Sequence, residues 1–434
     1  MPSRRSSAKT NLGPLQQFEV EGLTHEAKGV ARQQGKVTFI GGALPGETVE
    51  ARVSKAGRNF DEANLVNIVS PSPYRVTPTC QHFTECGGCS FQHLTQDQQL
   101  LAKTDWLQRQ LRKVNEQPIE QLADQAFGYR RRARLALQVK SGKALLGFRQ
   151  KSSKDIVEIS NCLVLTERLQ DIYKSLKNTI LDDGMAAAVG HIELLEDTHG
   201  ASVLFRLTRP ITESTQARWC DWAETLGIEL YWQAPEESRV TLAQEKMRHY
   251  DLGKQTLTYH PQDFIQVNAR MNEKMIHQAI SWLQPNEDDV VLDLFCGVGN
   301  FSLPMALHAK KVIGVEVQPS MVAAAQANAQ CNDLENIDFI AADLSQPAKR
   351  QFSKLGVTKV LLDPPRAGAF EFLDNLIKIS PGQILYVSCN ASTLARDAEY
   401  LVAHGYQVVK VGLMEMFPQT SHIETMMLLQ KRSK

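Results

Sequence analysis

The sequence predicts an α/β protein whose C-terminal part is a doubly wound, Rossmann-like parallel sheet. From about residue 266 onward, seven strand candidates follow one another with helical patterns between most of them, which is typical of that fold. Residues 13–70 contain five short strand candidates separated by glycines, which indicates a small OB-like β-barrel. The residues between them, 71–265, mix helix and strand patterns, so the middle of the chain is predicted to be an α+β domain.

The bulk composition is that of a globular protein and narrows the functional classes. Hydrophobic residues make up 43% of the 434 positions and charged residues 22%. No apolar run approaches the ~20 residues that span a bilayer, so we expect no membrane partner. Residues 1–12 are basic and lack an apolar core, so we expect a disordered tail, no secretory signal and a cytoplasmic location. Eight cysteines in such a chain indicate metal binding or catalysis rather than disulfides.

The N-terminal strand candidates form the predicted barrel. They cover residues 18–20, 29–31, 36–40, 48–53 and 63–69. With turns at Gly41-Gly42 and Pro45-Gly46, their spacing resembles that of a TRAM domain, an OB-like RNA-binding module. A small barrel with no RNA role is the alternative, and fold cues alone do not separate the two.

The middle region combines one clear helix with a basic hairpin. Periodicity predicts a helix over 94–112, a hairpin from strands 129–139 and 145–149, and a further strand over 202–209. The hairpin and its flanks carry nine Lys or Arg residues and no acid between positions 128 and 154. Alternation puts Arg130, Arg132 and Arg134 on one face of a strand. Together with Arg131 and an aromatic neighbour they predict a surface for RNA phosphates; a merely solvated face is the alternative.

Three cysteines of the middle region have the spacing of metal ligands. Cys80, Cys86 and Cys89 form a Cys-x5-Cys-x2-Cys pattern, and the glycine pair between the last two lets the chain turn tightly. Cys162 is the candidate fourth ligand. Four thiolates suit either a [4Fe–4S] cluster or a structural zinc ion, and spacing alone does not decide between them.

Acidic residues end successive strands of the C-terminal sheet. The strand candidates cover 290–294, 311–317, 337–341, 359–362, 384–388, 407–412 and 425–429. The first runs into the turn Gly297-Val298-Gly299, and Glu316, Asp343 and Asp363 stand at the ends of the next three. Ligands of open α/β sheets bind at this edge. The third glycine of a dinucleotide fingerprint and the lysine of a P-loop are missing, so S-adenosylmethionine fits better than a phosphorylated cofactor. Acids that only cap strands are the alternative.

A cysteine follows the fifth strand of this sheet. Cys389 directly succeeds the apolar run 384–388, so its thiol is expected at the same edge as the cofactor. That pairing indicates covalent catalysis. A small buried hydrophobe is the alternative for any lone cysteine, and it is the interpretation we give to Cys296, Cys331 and Cys220.

On these motifs the chain resembles the RNA uracil-5-methyltransferases. The matching segments, in family order, are residues 263–268, 293–297, 362–368, 387–390 and 416–424. The resemblance implies a [4Fe–4S] cluster at the four cysteines, Cys389 as nucleophile and Glu424 as base. It implies S-adenosylmethionine binding through the following residues: Gln266, Phe295, Asn300, Glu316, Asp343 and Asp363.

The implied reaction explains why these residue types are needed. C5 of uracil is a poor nucleophile until a thiolate adds to C6, and a base must then remove the C5 proton. Asp363 is expected to hold the uracil edge or the cofactor, and Arg366 to stabilise an oxyanion or a phosphate. His422 is expected to be structural.

The accessory parts point to one subgroup of the resembled family. Its transfer-RNA enzymes lack both the TRAM module and the cluster, and one ribosomal enzyme has only the cluster. The combination in this chain implies uracil 1939 of 23S ribosomal RNA as substrate, although some relatives with both parts modify two sites. We expect a monomer with an RNA partner and no DNA partner.

Two rival functions follow from the same sequence. The Asp363-Pro364-Pro365-Arg366 segment superficially resembles the Asp-Pro-Pro-Tyr motif of amino methyltransferases, but Arg366 replaces their aromatic residue and Cys389 has no role there. The other rival is a non-catalytic iron–sulfur RNA-binding protein of ribosome assembly. It would leave the nucleophile, the base and the cofactor acids without a purpose.

Overall fold

The computed structural model describes residues 13–182, 185–235, 241–242, 247–345 and 352–433. These residues form two compact units. The first contains residues up to 84, with 88–106 and 419–421, and the second contains 85–87, 107–418 and the remainder from 422. None of the helices in the described part of the chain has the length and apolar character needed to cross a bilayer.

The first unit is built on a closed β-barrel, as the N-terminal strand spacing predicts. Its strands, hydrogen-bonded in the order β1-β2-β3-β5-β4, are β1 (Leu15–Leu23), β2 (Lys28–Gln33), β3 (Lys36–Gly41), β4 (Thr48–Ala56) and β5 (Phe60–Ser70). Alternate residues such as Phe18, Ile40 and Val49 fill its core. A Cβ at Gly29 would lie 2.9 Å from the Ala43 Cβ, so only glycine allows this close approach.

The middle of the chain forms a sheet with helices on one face. In the described residues its strand order is β13-β12-β11-β10-β7-β8-β9. The elements of this region are α1 (Gln96–Leu111), β6 (Ile119–Leu122), β7 (Arg132–Lys140), β8 (Lys143–Arg149), β9 (Ile156–Glu158), α2 (Glu167–Asp182), β10 (Val189–Asp197), β11 (Gly200–Leu207), α3 (Glu213–Leu226), β12 (Glu229–Gln233) and β13 (Thr241–Leu242). A separate hairpin consists of β14 (Arg248–Leu252) and β15 (Gln255–Tyr259). The predicted helix, the basic hairpin and the strand near 202 are confirmed.

Apolar residues of the middle sheet pack under its two helices. Leu135 and Phe205 point from the strands into the same core as Tyr173 of α2 and Trp219 of α3. Arg134 lies one residue before Leu135 on β7 and is therefore on the other face. The helices thus leave one face of the sheet to its charged residues.

The C-terminal part is the doubly wound sheet that the alternating pattern predicts. Its strands are β16 (Val290–Leu294), β17 (Lys311–Glu316), β18 (Ile337–Ala341), β19 (Lys359–Leu362), β20 (Gln383–Ser388), β21 (Tyr406–Met414) and β22 (Glu424–Lys431). Its helices are α4 (Ala269–Leu283), α5 (Ser302–Ala306), α6 (Pro319–Cys331), α7 (Leu373–Ile379) and α8 (Ala391–Ala403). All seven predicted strands are present.

One strand of this sheet comes from far away in the sequence. Among the described residues the order is β18-β17-β16-β19-β20-β22-β21-β6. The first five strands in that order run parallel, and β22 pairs antiparallel with both β20 and β21. The edge strand β6 pairs parallel with β21, with Ile119 opposite Val411. The sequence did not predict this strand.

Candidate active site

A cavity of about 1140 Å³ opens at the carboxyl ends of the parallel strands. It is the place where open α/β sheets bind their ligands. Every residue that the sequence predicted for cofactor binding or catalysis lines it: Gln266, Phe295, Asn300, Glu316, Asp343, Asp363, Cys389 and Glu424. Its volume exceeds the roughly 300–1,000 Å³ of ordinary ligand pockets. The cavity therefore has room for more than one bound group.

Strand pairing brings Cys389 and Glu424 together. Ser388 at the end of β20 is the register partner of Thr425 on β22. Because the two strands are antiparallel, the residue after Ser388 and the residue before Thr425 are the next neighbours across the pair. Asp363 directly follows β19, the strand on the other side of β20. A thiol and two carboxyl groups from three adjacent strands thus meet at one edge.

The turn after β16 is tied to the acid that ends β17. Glu316 accepts hydrogen bonds from the backbone N–H groups of Gly297 (3.3 Å), Val317 (2.8 Å) and Gln318 (3.0 Å). Phe295 begins the turn with φ at +64°, a left-handed backbone that a phenylalanine rarely adopts. Such a conformation persists only where the surroundings impose it, and it is commonly found at functional sites.

Asn300 is oriented by two residues that the sequence did not single out. Its side-chain amide exchanges two hydrogen bonds of 2.9 Å with the buried Asn272, and its oxygen also accepts from the Tyr250 hydroxyl at 3.1 Å. Gln266 is nearly buried, whereas Asp343 is exposed. Asn272 lies on α4 and Tyr250 on β14, so no local motif could have linked them to the Gly-rich turn.

The cavity is rich in carboxyl groups, and burial makes them hard to ionise. Burial raises the pKa of Asp363. Burial, reinforced by Asp363, raises the pKa of Glu424 well above its ordinary range. Burial and then Glu424 also raise the pKa of the Cys389 thiol, while the positive charge of Arg366 opposes the rise. A cation that entered this cavity would favour the ionised form of all three groups.

The raised pKa of Asp293 leads us to predict how the free energy of unfolding depends on pH. This carboxyl is 1% exposed, accepts a hydrogen bond of 2.5 Å from the Ser302 hydroxyl, and burial raises its pKa to about 7 from an ordinary 3.8. The folded protein therefore keeps a proton that the unfolded chain has lost between about pH 4 and pH 7, and its stability falls as pH rises through that interval. We expect Asp293→Asn to reduce this slope by up to about 1.4 kcal/mol per pH unit.

Urea unfolding of the ligand-free protein at several pH values measures that slope. Asp338→Asn is the matched control, because this aspartate is largely exposed on β18 and pairs with Lys311. A slope that Asp293→Asn leaves unchanged would mean that the buried carboxyl is already ionised.

Two arginines of the predicted basic surface have guanidinium groups that make contacts inside the protein. Arg131 is only 4% exposed; its Nε donates to the Gln266 carbonyl at 2.8 Å and its guanidinium lies over the Tyr250 ring. Arg132 pairs with Glu193 at 3.1 Å and donates to backbone carbonyls. The inclusion of Arg131 in a phosphate-binding surface is therefore wrong, because burial removes it from solvent. Arg130 lines the cavity and Arg134 is exposed.

The four candidate metal ligands are each partly exposed, unlike the buried Cys296. They are Cys80, Cys86, Cys89 and Cys162. A Cβ at Gly87 would lie 2.9 Å from the Arg149 carbonyl oxygen, so the turn beside Cys86 requires glycine. Within the described residues, no group of three or more His, Cys, Asp or Glu side chains is arranged to hold a metal ion.

Comparisons with known families match two parts of the chain. The model of the tRNA (uracil-5-)-methyltransferase family matches residues 95–432. The TRAM domain model matches residues 9–66, which confirms the interpretation of the N-terminal barrel. The first match covers far more than half of the 434 residues.

Curated relatives are similar over their whole lengths. The chain is 64% identical over 433 residues to the 23S rRNA (uracil(1939)-C(5))-methyltransferase RlmD of Marinomonas sp. (strain MWYL1), covering 99% of this chain and 98% of that protein. It is 42% identical over 438 residues to the protein of the same name from Aeromonas hydrophila subsp. hydrophila, covering 99% of each.

A solved structure shares the fold. The tRNA (uracil-54, C5)-methyltransferase of Pyrococcus abyssi, in complex with S-adenosyl-L-homocysteine, matches 95% of this chain and 99% of its own length. The TM-score is 0.76 at 24% identity.

Proposed function

The chain belongs to the tRNA (uracil-5-)-methyltransferase family, and from that premise we propose that it methylates C5 of uracil 1939 in 23S ribosomal RNA. The methyl donor is S-adenosylmethionine. The observation that carries the proposal is the pairing of β20 with β22, which sets the Cys389 thiol beside the Glu424 carboxyl at the cavity edge. The position of the target uracil rests on the close relatives, which bear the name of that reaction.

The carboxyl-rich cavity suits the methyl donor. S-adenosylmethionine carries a sulfonium cation, the form of charge that Asp363 and Glu424 attract when they are ionised. Glu316, held at the end of β17, is placed to accept hydrogen bonds from ribose hydroxyls. We assign the remaining contacts to Gln266, Phe295, Asn300 and Asp343, which line the same cavity.

Cys389 and Glu424 divide the chemistry between them. The Cys389 sulfur adds to C6 of uracil, and the electron pair of the C5–C6 double bond moves to C5. C5 then forms a bond to the methyl group, and the bond between that methyl group and the sulfonium sulfur of S-adenosylmethionine breaks. Glu424 then takes the proton from C5, and the C6–sulfur bond breaks to return the thiolate. Arg366 favours the thiolate that this route needs, because its cation opposes the rise in the pKa of Cys389 that burial and Glu424 cause.

The target base must leave its stack to reach this thiol. Phe264 lines the cavity with 67% of its surface exposed. An exposed phenylalanine in a binding cavity is a suitable face for an unstacked base. Sequence reasoning included Phe264 in a matching segment but gave it no role.

The site assignment is tested by mapping the product. Unmodified 23S rRNA transcript is incubated with the protein and methyl-labelled S-adenosylmethionine, and the labelled nucleotide is located by nuclease digestion and mass spectrometry. We expect 5-methyluridine at position 1939 and no label in a transcript that carries cytidine there. Label at another uracil would contradict the assignment.

We also propose that RNA phosphates bind at Arg130, which lines the cavity and donates one hydrogen bond to the Arg132 carbonyl, and at Arg134, which is exposed. We expect Arg134→Gln to lower the slope of log affinity against log salt concentration by about 0.7–0.9, with little change in kcat at saturating RNA. Filter binding at several salt concentrations measures the slope. Lys174→Gln is the control, because α2 covers the opposite face of the same sheet.

We further propose that Cys80, Cys86, Cys89 and Cys162 hold a [4Fe–4S] cluster. The Cys-x5-Cys-x2-Cys spacing and a glycine turn too tight for a Cβ support this donor set, although the described residues do not gather the thiols into a metal-binding group. The methyl transfer needs no electron, so the cluster would serve folding or RNA docking. We expect anaerobically purified protein to hold about four irons and four sulfides per chain. Cys86→Ser should lower both, and Cys331→Ser should not; bound zinc instead of iron would contradict the assignment.

A further inference from the structure

Beyond these assignments, one buried carboxyl holds the active-site loop, the cavity-lining segment from Asp363 to Phe372. Asp397 lies on α8 and is fully buried. Its Oδ2 accepts hydrogen bonds from the Ala369 backbone N–H at 2.8 Å and from the Tyr386 hydroxyl at 2.7 Å. Its Oδ1 accepts from Arg396 Nε at 2.8 Å. Removing one partner of a buried, hydrogen-bonded carboxylate is costly. Asp397 therefore fixes the positions of Ala369, Tyr386 and Arg396.

Hydrogen bonds from α8 and its N-cap hold three of the four consecutive residues 366–369 of that loop. The Arg366 carbonyl accepts from the Asn390 amide at 3.0 Å and the Thr393 hydroxyl at 3.3 Å. The next residue, Ala367, has its carbonyl bound by Arg396 at 2.9 Å. Ala369 is held by Asp397.

The remaining residue of the four, Gly368, allows the loop to lie directly on this carboxylate. Its φ is +82°, and a Cβ there would lie 2.6 Å from Asp397 Oδ2 and 2.7 Å from an Arg396 nitrogen. Only glycine tolerates both the conformation and the approach. The loop and α8 are thus built to fit each other at this point.

The held loop faces the nucleophile. α8 begins with the N-cap Asn390, directly after Cys389. The loop carries Arg366, which lines the cavity together with Cys389, and its guanidinium charge opposes the rise in the pKa of that thiol. One helix therefore both follows the thiol and anchors the backbone of the cation beside it.

We propose that Asp397 is a positioning residue that holds the loop from Asp363 to Phe372 on α8, so that the Arg366 guanidinium faces the Cys389 thiol. The proposal rests on the proposed function for the importance of that thiol. Asp397 is not among the residues that line the cavity and acts through Ala369 and Arg396. Loss of Asp397 shifts Arg366 away from the thiol. Burial, Glu424 and Asp363 then raise the pKa of Cys389 without the opposing charge of Arg366.

The test measures the thiol itself, without RNA. The full-length protein is treated with iodoacetamide over a range of pH, and alkylation of the peptide containing Cys389 is followed by mass spectrometry. We expect Asp397→Asn to move the alkylation midpoint upward by about 0.5–1 pH unit, because the thiolate loses its cation. In an Arg366→Ala background the same substitution should cause no further shift, because the cation through which it acts is gone.

A general loosening of the fold would give a different pattern. An unshifted midpoint in Asp397→Asn, or an equally large shift in the Arg366→Ala background, would overturn the proposal. Thr393→Val removes only one partly exposed donor to the Arg366 carbonyl and is expected to move the midpoint less, in the same direction. It keeps the test decisive if Asp397→Asn does not fold: a Thr393→Val midpoint equal to that of the wild type then overturns the proposal.

Kinetics separate this proposal from the proposed function. In Asp397→Asn we expect kcat to fall by about tenfold to a hundredfold while KM for S-adenosylmethionine stays within about twofold. If the wild type methylated no RNA, the proposed function would fail. The alkylation profile would still decide the role of Asp397.

Discussion

Replacement of Cys389 by alanine is expected to abolish methyl transfer and to leave S-adenosylmethionine binding within about twofold of wild type. Without the sulfur no bond forms at C6, and C5 stays too weak a nucleophile to take the methyl group. Removal of a covalent nucleophile typically costs about 10⁴-fold or more in kcat. Single-turnover transfer of labelled methyl to 23S rRNA measures the rate, and calorimetry measures binding.

Cys331→Ser is the matched control, since that thiol at the end of α6 is exposed, so its interpretation as a buried hydrophobe was wrong, and it does not line the cavity. It should retain full activity. Residual transfer by Cys389→Ala within tenfold of wild type would rule out covalent catalysis and favour a direct transfer, as in amino methyltransferases.

Replacement of Glu424 by glutamine is expected to trap the enzyme on its RNA. The isosteric amide cannot accept the C5 proton, so methyl transfer proceeds once and the C6–sulfur bond cannot be broken by elimination. We expect turnover to fall by about 10²–10⁴-fold while a protein–RNA adduct carrying labelled methyl accumulates. A denaturing gel shows that adduct directly.

The double variant Cys389→Ala with Glu424→Gln should form no adduct, which separates covalent trapping from tight binding. An adduct that resolves at the wild-type rate in Glu424→Gln would exclude Glu424 as the base. Another group in the cavity, such as Asp363, would then have to remove the proton.

Local sequence patterns were sufficient to predict where the strands lie and which edge of the sheet carries the candidate site. The strands of the barrel and of the C-terminal sheet were visible because alternation, apolar runs and glycine turns are properties of short segments. The acids and the cysteine could be placed because residues that follow parallel strands share one edge of the sheet. Their meeting in one cavity follows from that rule alone.

Strand pairing between distant segments and the burial of individual polar residues could not be predicted from the sequence. Strand β6 has only four residues, and its partner β21 lies almost 300 positions later in the chain, so nothing local marks it as part of the sheet. Asn272 and Asp397 act through hydrogen bonds to distant loops and carry no motif of their own.

Arg131 is different, because a signal was available. It is out of phase with Arg130 and Arg132 on an alternating segment, so it faces the opposite side. Charge counting overlooked that phase. The buried guanidinium over Tyr250 is the result.

The most direct test of covalent catalysis by Cys389 uses RNA in which uridine is replaced by 5-fluorouridine. The protein is incubated with a 23S rRNA fragment of this kind and S-adenosylmethionine, and the products are separated on a denaturing gel. Fluorine cannot leave C5 as a proton does, so the account predicts a stable adduct on the peptide containing Cys389, absent from Cys389→Ala. Methyl transfer to normal RNA with no adduct on the fluorinated RNA would contradict it.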